Sequence, residues 1–110
     1  MLKGHQSWIF RQKPVIVSTA AVVGPFEGRG PLGKDFDIVH GDSRLGQDSW
    51  EKAERTLLEE ATSIAIERAG LTQEQVQFYI GGDLMNQITS SSYAARTLTI
   101  PYLGVFGACS

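Results

Sequence analysis

The chain lacks several things, and each absence removes a class of function. It has one cysteine, so no internal disulfide can form, and a reducing compartment fits. Two histidines, far apart in sequence, make no credible zinc site with that cysteine, and no cofactor is expected. There is no run of five like charges and the net charge is −2, which argues against a nucleic-acid-binding face. No apolar stretch approaches the roughly 18 residues that span a bilayer. The N-terminus, Met1-Leu2-Lys3-Gly4-His5, lacks the apolar core of a signal peptide. Internal repeats and low-complexity segments are absent too.

What remains reads as strands alternating with helices. Trp8-Ile9-Phe10 is short and apolar, as a small edge strand would be. Val15 to Val23 is uncharged and rich in β-branched residues, the pattern of a strand buried on both faces. Gly24-Pro25 ends it. Residues 24–48 carry turn chemistry and little periodicity, and are expected to form a long irregular loop, usually a functional or covered feature.

A helix is predicted from Ser49 to Ala69. Asp48 or Ser49 caps it, and Glu51 sits where the macrodipole favours negative charge. Trp50, Ala53, Leu57, Ala61, Ile64 and Ala65 recur at three- and four-residue steps as one apolar stripe. Gly70 suits the left-handed position after the helix, and Leu71 can close a Schellman end. Thr72 to Gln75 is a capping box for one short turn. Val76 to Ile80 reads as a second buried strand. A further helix is predicted over Ser90 to Leu98, capped by Thr89 or Ser90, with Tyr93, Ala94 and Leu98 inward. Tyr102 to Phe106 is the last strand. The order β-α-β-α-β predicts an α/β fold with a mainly parallel sheet covered by helices.

Two segments are candidates for chemistry, because ligands of parallel sheets bind outside the carboxyl ends of strands. One is Gly81-Gly82-Asp83, followed by Asn86, Gln87 and Thr89. The glycines allow close backbone approach, and the rest offer hydrogen-bonding groups. The bland alternative has Asp83 capping a turn. The other is Gly107-Ala108-Cys109, where a helix beginning just after the thiol would favour thiolate. A cysteine nucleophile would need a base, and only His5 and His40 are available. The alternative is a small cysteine packed under a turn. The glycine-rich stretch from Gly24 to Gly33 is not a phosphate loop, since it lacks the required ending and spacing.

Taken together, Trp8-Ile9-Phe10, Gly24-Pro25, Gly30-Pro31-Leu32-Gly33, Phe36-Asp37, Ser49-Trp50-Glu51-Lys52-Ala53-Glu54-Arg55, Gly82-Asp83-Leu84-Met85-Asn86-Gln87, Tyr93-Ala94-Ala95-Arg96 and Ile100-Pro101-Tyr102-Leu103 with Phe106-Gly107-Ala108-Cys109-Ser110 resemble the stage V sporulation protein AD family. The resemblance implies a thiolase-like fold, similar to thiolases and β-ketoacyl-carrier-protein synthase III. Residues 1–110 would then be a truncated N-terminal half of such a domain. It implies a soluble component of the spore channel apparatus that binds dipicolinic acid, with or without calcium, during uptake in sporulation. Membrane-embedded channel proteins of the same operon would be its partners. Its place would be the spore cytoplasmic side, peripheral to the inner membrane. By position, Asp83, Asn86, Gln87 and Cys109 border the family's central pocket. The family is not known for turnover, though it keeps the condensing-enzyme cysteine position, here Cys109. A homodimer through the 102–106 strand is expected. Two alternatives stand beside this reading: an acyl-transfer enzyme with Cys109 as nucleophile, and a structural module that docks on membrane partners.

Overall fold

The computed structural model describes residues 1–85 and 88–108. Among the described residues six short strands form three separate pairs. β1 (Leu2–Lys3) and β2 (Ser7–Trp8) make an antiparallel hairpin. β3 (Val22–Val23) lies parallel to β4 (Ile38–Val39), and β5 (Tyr79–Gly81) parallel to β6 (Tyr102–Gly104). Between them lie the helices α1 (Pro25–Gly28), α2 (Trp50–Arg68) and α3 (Thr89–Leu98). The chain is thus mixed α/β. The β5–β6 pair joins two of the expected strands in parallel, whereas β4 lies in the expected loop, and the two parallel pairs do not join into one sheet among the described residues.

α2 follows its sequence signals closely. Ser49 is extended at the N-cap, and its Oγ accepts from the Lys52 N–H at 3.2 Å. At the other end Gly70 has φ +70°. Its N–H donates to the Glu67 carbonyl at 2.9 Å, and the Leu71 N–H donates to the Ile66 carbonyl at 3.2 Å, completing the Schellman end. The Thr72 N–H donates to Gln75 Oε1 at 2.8 Å over a short 3-10 turn, as the capping box predicts.

α2 packs most extensively on α3, and α3 in turn covers β5 and β6. Among the described residues the buried apolar side chains are Ala53 from α2, and Ala94, Ala95, Leu98 and Ile100 from α3 and just beyond it, three of the five being alanine. Of the predicted α2 stripe only Ala53 is fully buried, and Trp50 remains 46% exposed beneath the Arg44 guanidinium, 4.9 Å from its ring centroid.

Four expectations are corrected. Val15 to Val23 is not a long buried strand. Only Val22–Val23 pairs, and Val15, Ile16 and Val17 are exposed, because no neighbouring strand flanks them among the described residues. The segment is instead tied to α2 by polar contacts: Ser18 Oγ donates to the Ala65 carbonyl at 2.6 Å, and Arg68 donates to the Thr19 carbonyl at 3.0 Å. Tyr93 does not point inward. It is half exposed, with its ring under Arg55 at 5.9 Å, while the adjacent Ala94 and Ala95 are the buried residues of that turn. The strands begin or end short of prediction: Val76 to Phe78 precede β5, and Val105 and Phe106 follow β6. Within 24–48, the expected irregular loop, the chain forms α1, a 3-10 turn over Gly33–Asp35 and β4.

Candidate functional site

The site is built where β5 and β6 end. Their parallel register pairs Gly81 with Gly104, so the following segments leave side by side. The Val105 N–H donates to the Gly81 carbonyl at 2.8 Å, extending the pairing one step. Next comes the closest approach. A Cβ on Gly82 would lie 2.4 Å from the Ala108 Cβ and 3.1 Å from the Val105 carbonyl oxygen. The two candidate segments therefore touch, and glycine is what lets them. Gly104 is similarly hemmed in, since a Cβ there would lie 2.7 Å from Tyr102 Oη.

Asp83 follows directly and is 6% exposed. Its Oδ2 accepts from the Ser91 N–H at 2.9 Å. Ser91 is the third residue of α3, whose N-cap Ile88 offers no side-chain acceptor. Asp83 therefore does a cap's work from outside the helix, satisfying an N-terminal donor and placing negative charge at the positive end of the dipole. Asp83 Oδ1 has no hydrogen-bond partner among the described residues. The capping alternative read from sequence is thus correct in kind, but the capped element is α3 rather than a local turn. The predicted caps Thr89 and Ser90 lie inside the helix. Ile88 takes their place at φ +62°, and Thr99 ends the helix at φ +56°. Both are β-branched residues in the left-handed region, which is costly for such side chains.

Sequence reasoning missed two neighbours. Ser91 is fully buried, and its Oγ lies 2.6 Å from Tyr102 Oη. The Tyr102 ring sits 5.8 Å from that of Tyr79, its register partner across the ladder. The run Thr89-Ser90-Ser91-Ser92 carried the signal, since small hydroxyl residues at a helix start suit close packing on a glycine-bearing strand. Asn86, Gln87 and Cys109 lie outside the described residues.

The two histidines stand elsewhere. His40 Nε2 is 2.6 Å from Glu60 Oε2, linking the end of β4 to α2. His5 is exposed in the hairpin turn. A separate cleft of about 320 Å³ opens between the N-terminal ends of α2 and α3, lined among others by Ser49, Lys52, Arg55, Ser90 and Tyr93. Its cations are already engaged: Lys52 with Asp48 at 2.8 Å, Arg55 with Glu59 and Thr97, each at 2.7 Å. Asp83 is not among its lining residues. Among the described residues no cluster of three or more metal-ligating side chains occurs, and no helix is long and apolar enough to cross a membrane.

A family model for stage V sporulation protein AD matches residues 4–110. The chain belongs to this family. Stage V sporulation protein AD of Bacillus subtilis (strain 168) is 41% identical over 109 residues, covering 99% of this chain and 32% of the relative. The chain thus spans about a third of the length of the curated relative it matches. Membership in the stage V sporulation protein AD family carries a role in sporulation. The match runs through the whole Gly82–Ala108 junction.

Proposed function

We propose that this chain forms part of a dipicolinic-acid-binding component of the spore channel apparatus, acting in dipicolinic acid uptake on a thiolase-like scaffold and without turnover. The observation that carries the reading is the contact of Gly82 with Ala108. It brings together the segment leading into Asn86 and Gln87 and the segment leading into Cys109. A dicarboxylate needs N–H donors and cations. Asn86 and the backbone around Cys109 are the expected donors. Asp83 would repel a bare dicarboxylate, and one of its oxygens is already committed to Ser91. Its Oδ1, without a hydrogen-bond partner among the described residues, suits a calcium ion chelated by the ligand, since calcium takes carboxylate oxygens readily.

The proposed partners are membrane-embedded channel proteins of the same operon, on the cytoplasmic side of the spore inner membrane. A homodimer through the 102–106 segment belongs to the same reading. Leu103 and Phe106 there are exposed, and β6 has β5 as its one ladder partner among the described residues.

Acyl transfer with Cys109 as nucleophile is the second reading. It needs a base, and His40, though paired with a carboxylate as a catalytic imidazole would be, stands at the end of β4 rather than at the ends of β5 and β6.

Calorimetric titration of dipicolinic acid tests the proposal, with and without calcium, into this chain and into the full-length Bacillus subtilis relative. Binding by the relative, weakened by substitution of its residue matching Asn86, is the expected result. No binding by either protein overturns it and brings Cys109 chemistry forward.

A further inference from the structure

Residues 1–26 hold three cationic side chains, Lys3, Arg11 and Lys13, and all 12 acidic side chains of the chain lie beyond them. The same stretch begins with the β1–β2 hairpin, whose strands pack chiefly on each other. The hairpin is closed by reciprocal hydrogen bonds between Met1 and Ile9, each 2.7 Å, and turns through Gly4 at φ +66°. Leu2 and Trp8 are direct cross-strand partners, so their side chains stand on one face of the ladder.

Those side chains are bare. Trp8 is 72% exposed, Phe10 63% and Leu2 52%, with Met1 and Ile9 also exposed. Leu2 and Trp8 side by side in solvent, with Phe10 two residues on, form an apolar face that marks an interaction surface. The chemistry around it narrows the partner. Lys3 sits on one strand and Arg11 and Lys13 follow the other, all exposed, with no carboxylate among them. Such a surface has apolar and aromatic side chains to sink below a headgroup layer and long cationic side chains to stay at its level. Tryptophan favours that depth, having a large apolar body and one N–H donor. The attraction of several like charges to a diffuse anionic plane needs no fixed register, unlike pairing with a folded protein.

We propose that the hairpin over residues 1–13 docks on an anionic lipid surface, with Leu2, Trp8 and Phe10 entering the interface and Lys3, Arg11 and Lys13 held at the headgroups. The proposal is independent of the ligand at the Gly82–Ala108 junction.

The test is flotation of the chain with vesicles of phosphatidylcholine alone and of phosphatidylcholine carrying about 30% phosphatidylglycerol. Trp50→Phe leaves Trp8 as the one fluorescent tryptophan of the 2 present. Binding to the anionic vesicles only, reversed by salt and with a blue shift of Trp8 emission, is expected. Lys3→Gln, Arg11→Gln and Lys13→Gln should each weaken partition by roughly fivefold. Trp8→Ser with Phe10→Ser should abolish it while circular dichroism stays unchanged. No binding to anionic vesicles, or binding without a Trp8 shift, overturns the proposal. Retention on protein-bearing membranes with none on pure lipid also overturns it, and assigns this face to a protein partner.

Discussion

Asp83 caps α3 from outside the helix, its Oδ2 accepting from the buried Ser91 N–H at 2.9 Å. The residue at the N-cap position, Ile88, has nothing to offer that donor. Asp83→Ala would therefore leave a buried N–H unpaired and remove an anion from the positive end of the helix. We expect a loss of about 1–2 kcal/mol in urea denaturation. Asp83→Asn keeps an acceptor oxygen and should lose clearly less. Equal losses from the two variants would show that charge, not the hydrogen bond, is what Asp83 supplies.

The contact between Gly82 and Ala108 admits no side chain. In Gly82→Ala a new methyl would lie 2.4 Å from the Ala108 Cβ, and two backbone segments would have to separate. Overpacking of this kind costs roughly 1–3 kcal/mol. The control is Gly41→Ala, where a Cβ meets nothing within 4 Å and φ is ordinary. That change should fall within about 0.5 kcal/mol of the parent. If both variants unfold at the same denaturant concentration, the close approach does not exist in solution.

How far the sequence disclosed this molecule depends on the range of the forces at each place. The ends of α2 were legible because Ser49 and Gly70-Leu71 act on backbone groups a few residues away. The start of α3 was misread for the opposite reason. Thr89 and Ser90 are good local caps, but the capping oxygen comes from Asp83, which no local pattern reveals. Val15 to Val17 have the composition of a buried strand and are exposed, because composition states what a segment can bury and not whether a neighbour is present to cover it. At the site, the juxtaposition of the segments after β5 and β6 followed from the parallel α/β order. The Ser91–Tyr102 hydroxyl pair did not, since it depends on the packing of α3 on the ladder.

Acid should act through Asp37. Its carboxyl is held below its ordinary value of 3.8, first by the hydrogen bond from Arg68 and then by the Ala21 N–H, which donates to Oδ2 at 2.7 Å. A carboxyl depressed in the fold stabilises it above the unfolded value, and that contribution is lost as pH falls from there through the folded value. The group is exposed, so the effect is small. Asp37→Asn should flatten the decline of the urea midpoint below about pH 4, leaving any residual slope to Asp42 and Asp48, which are lowered by the Gly46 N–H and by Lys52 respectively. An unchanged acid slope in Asp37→Asn would show that the link to α2 is absent in solution.

Thr99 offers a gain rather than a loss. It ends α3 at φ +56° and is exposed, so its side chain is not needed for burial. A β-branched residue pays roughly 1–2 kcal/mol for the left-handed region, whereas glycine enters it freely. Thr99→Gly removes that strain but also loosens the unfolded chain, which offsets part of the benefit. The net expectation is a stabilisation of about 0.5–1 kcal/mol, read as a higher urea midpoint at unchanged slope. Thr99→Asn should do nearly as well, because asparagine tolerates this conformation while costing less unfolded-state entropy. Thr99→Ala separates the causes. It removes the β-branch but retains a Cβ, and should recover only part of the gain. If all three substitutions destabilise, Thr99 is not in the left-handed region in solution, and the turn from α3 into Ile100 and β6 must be drawn differently.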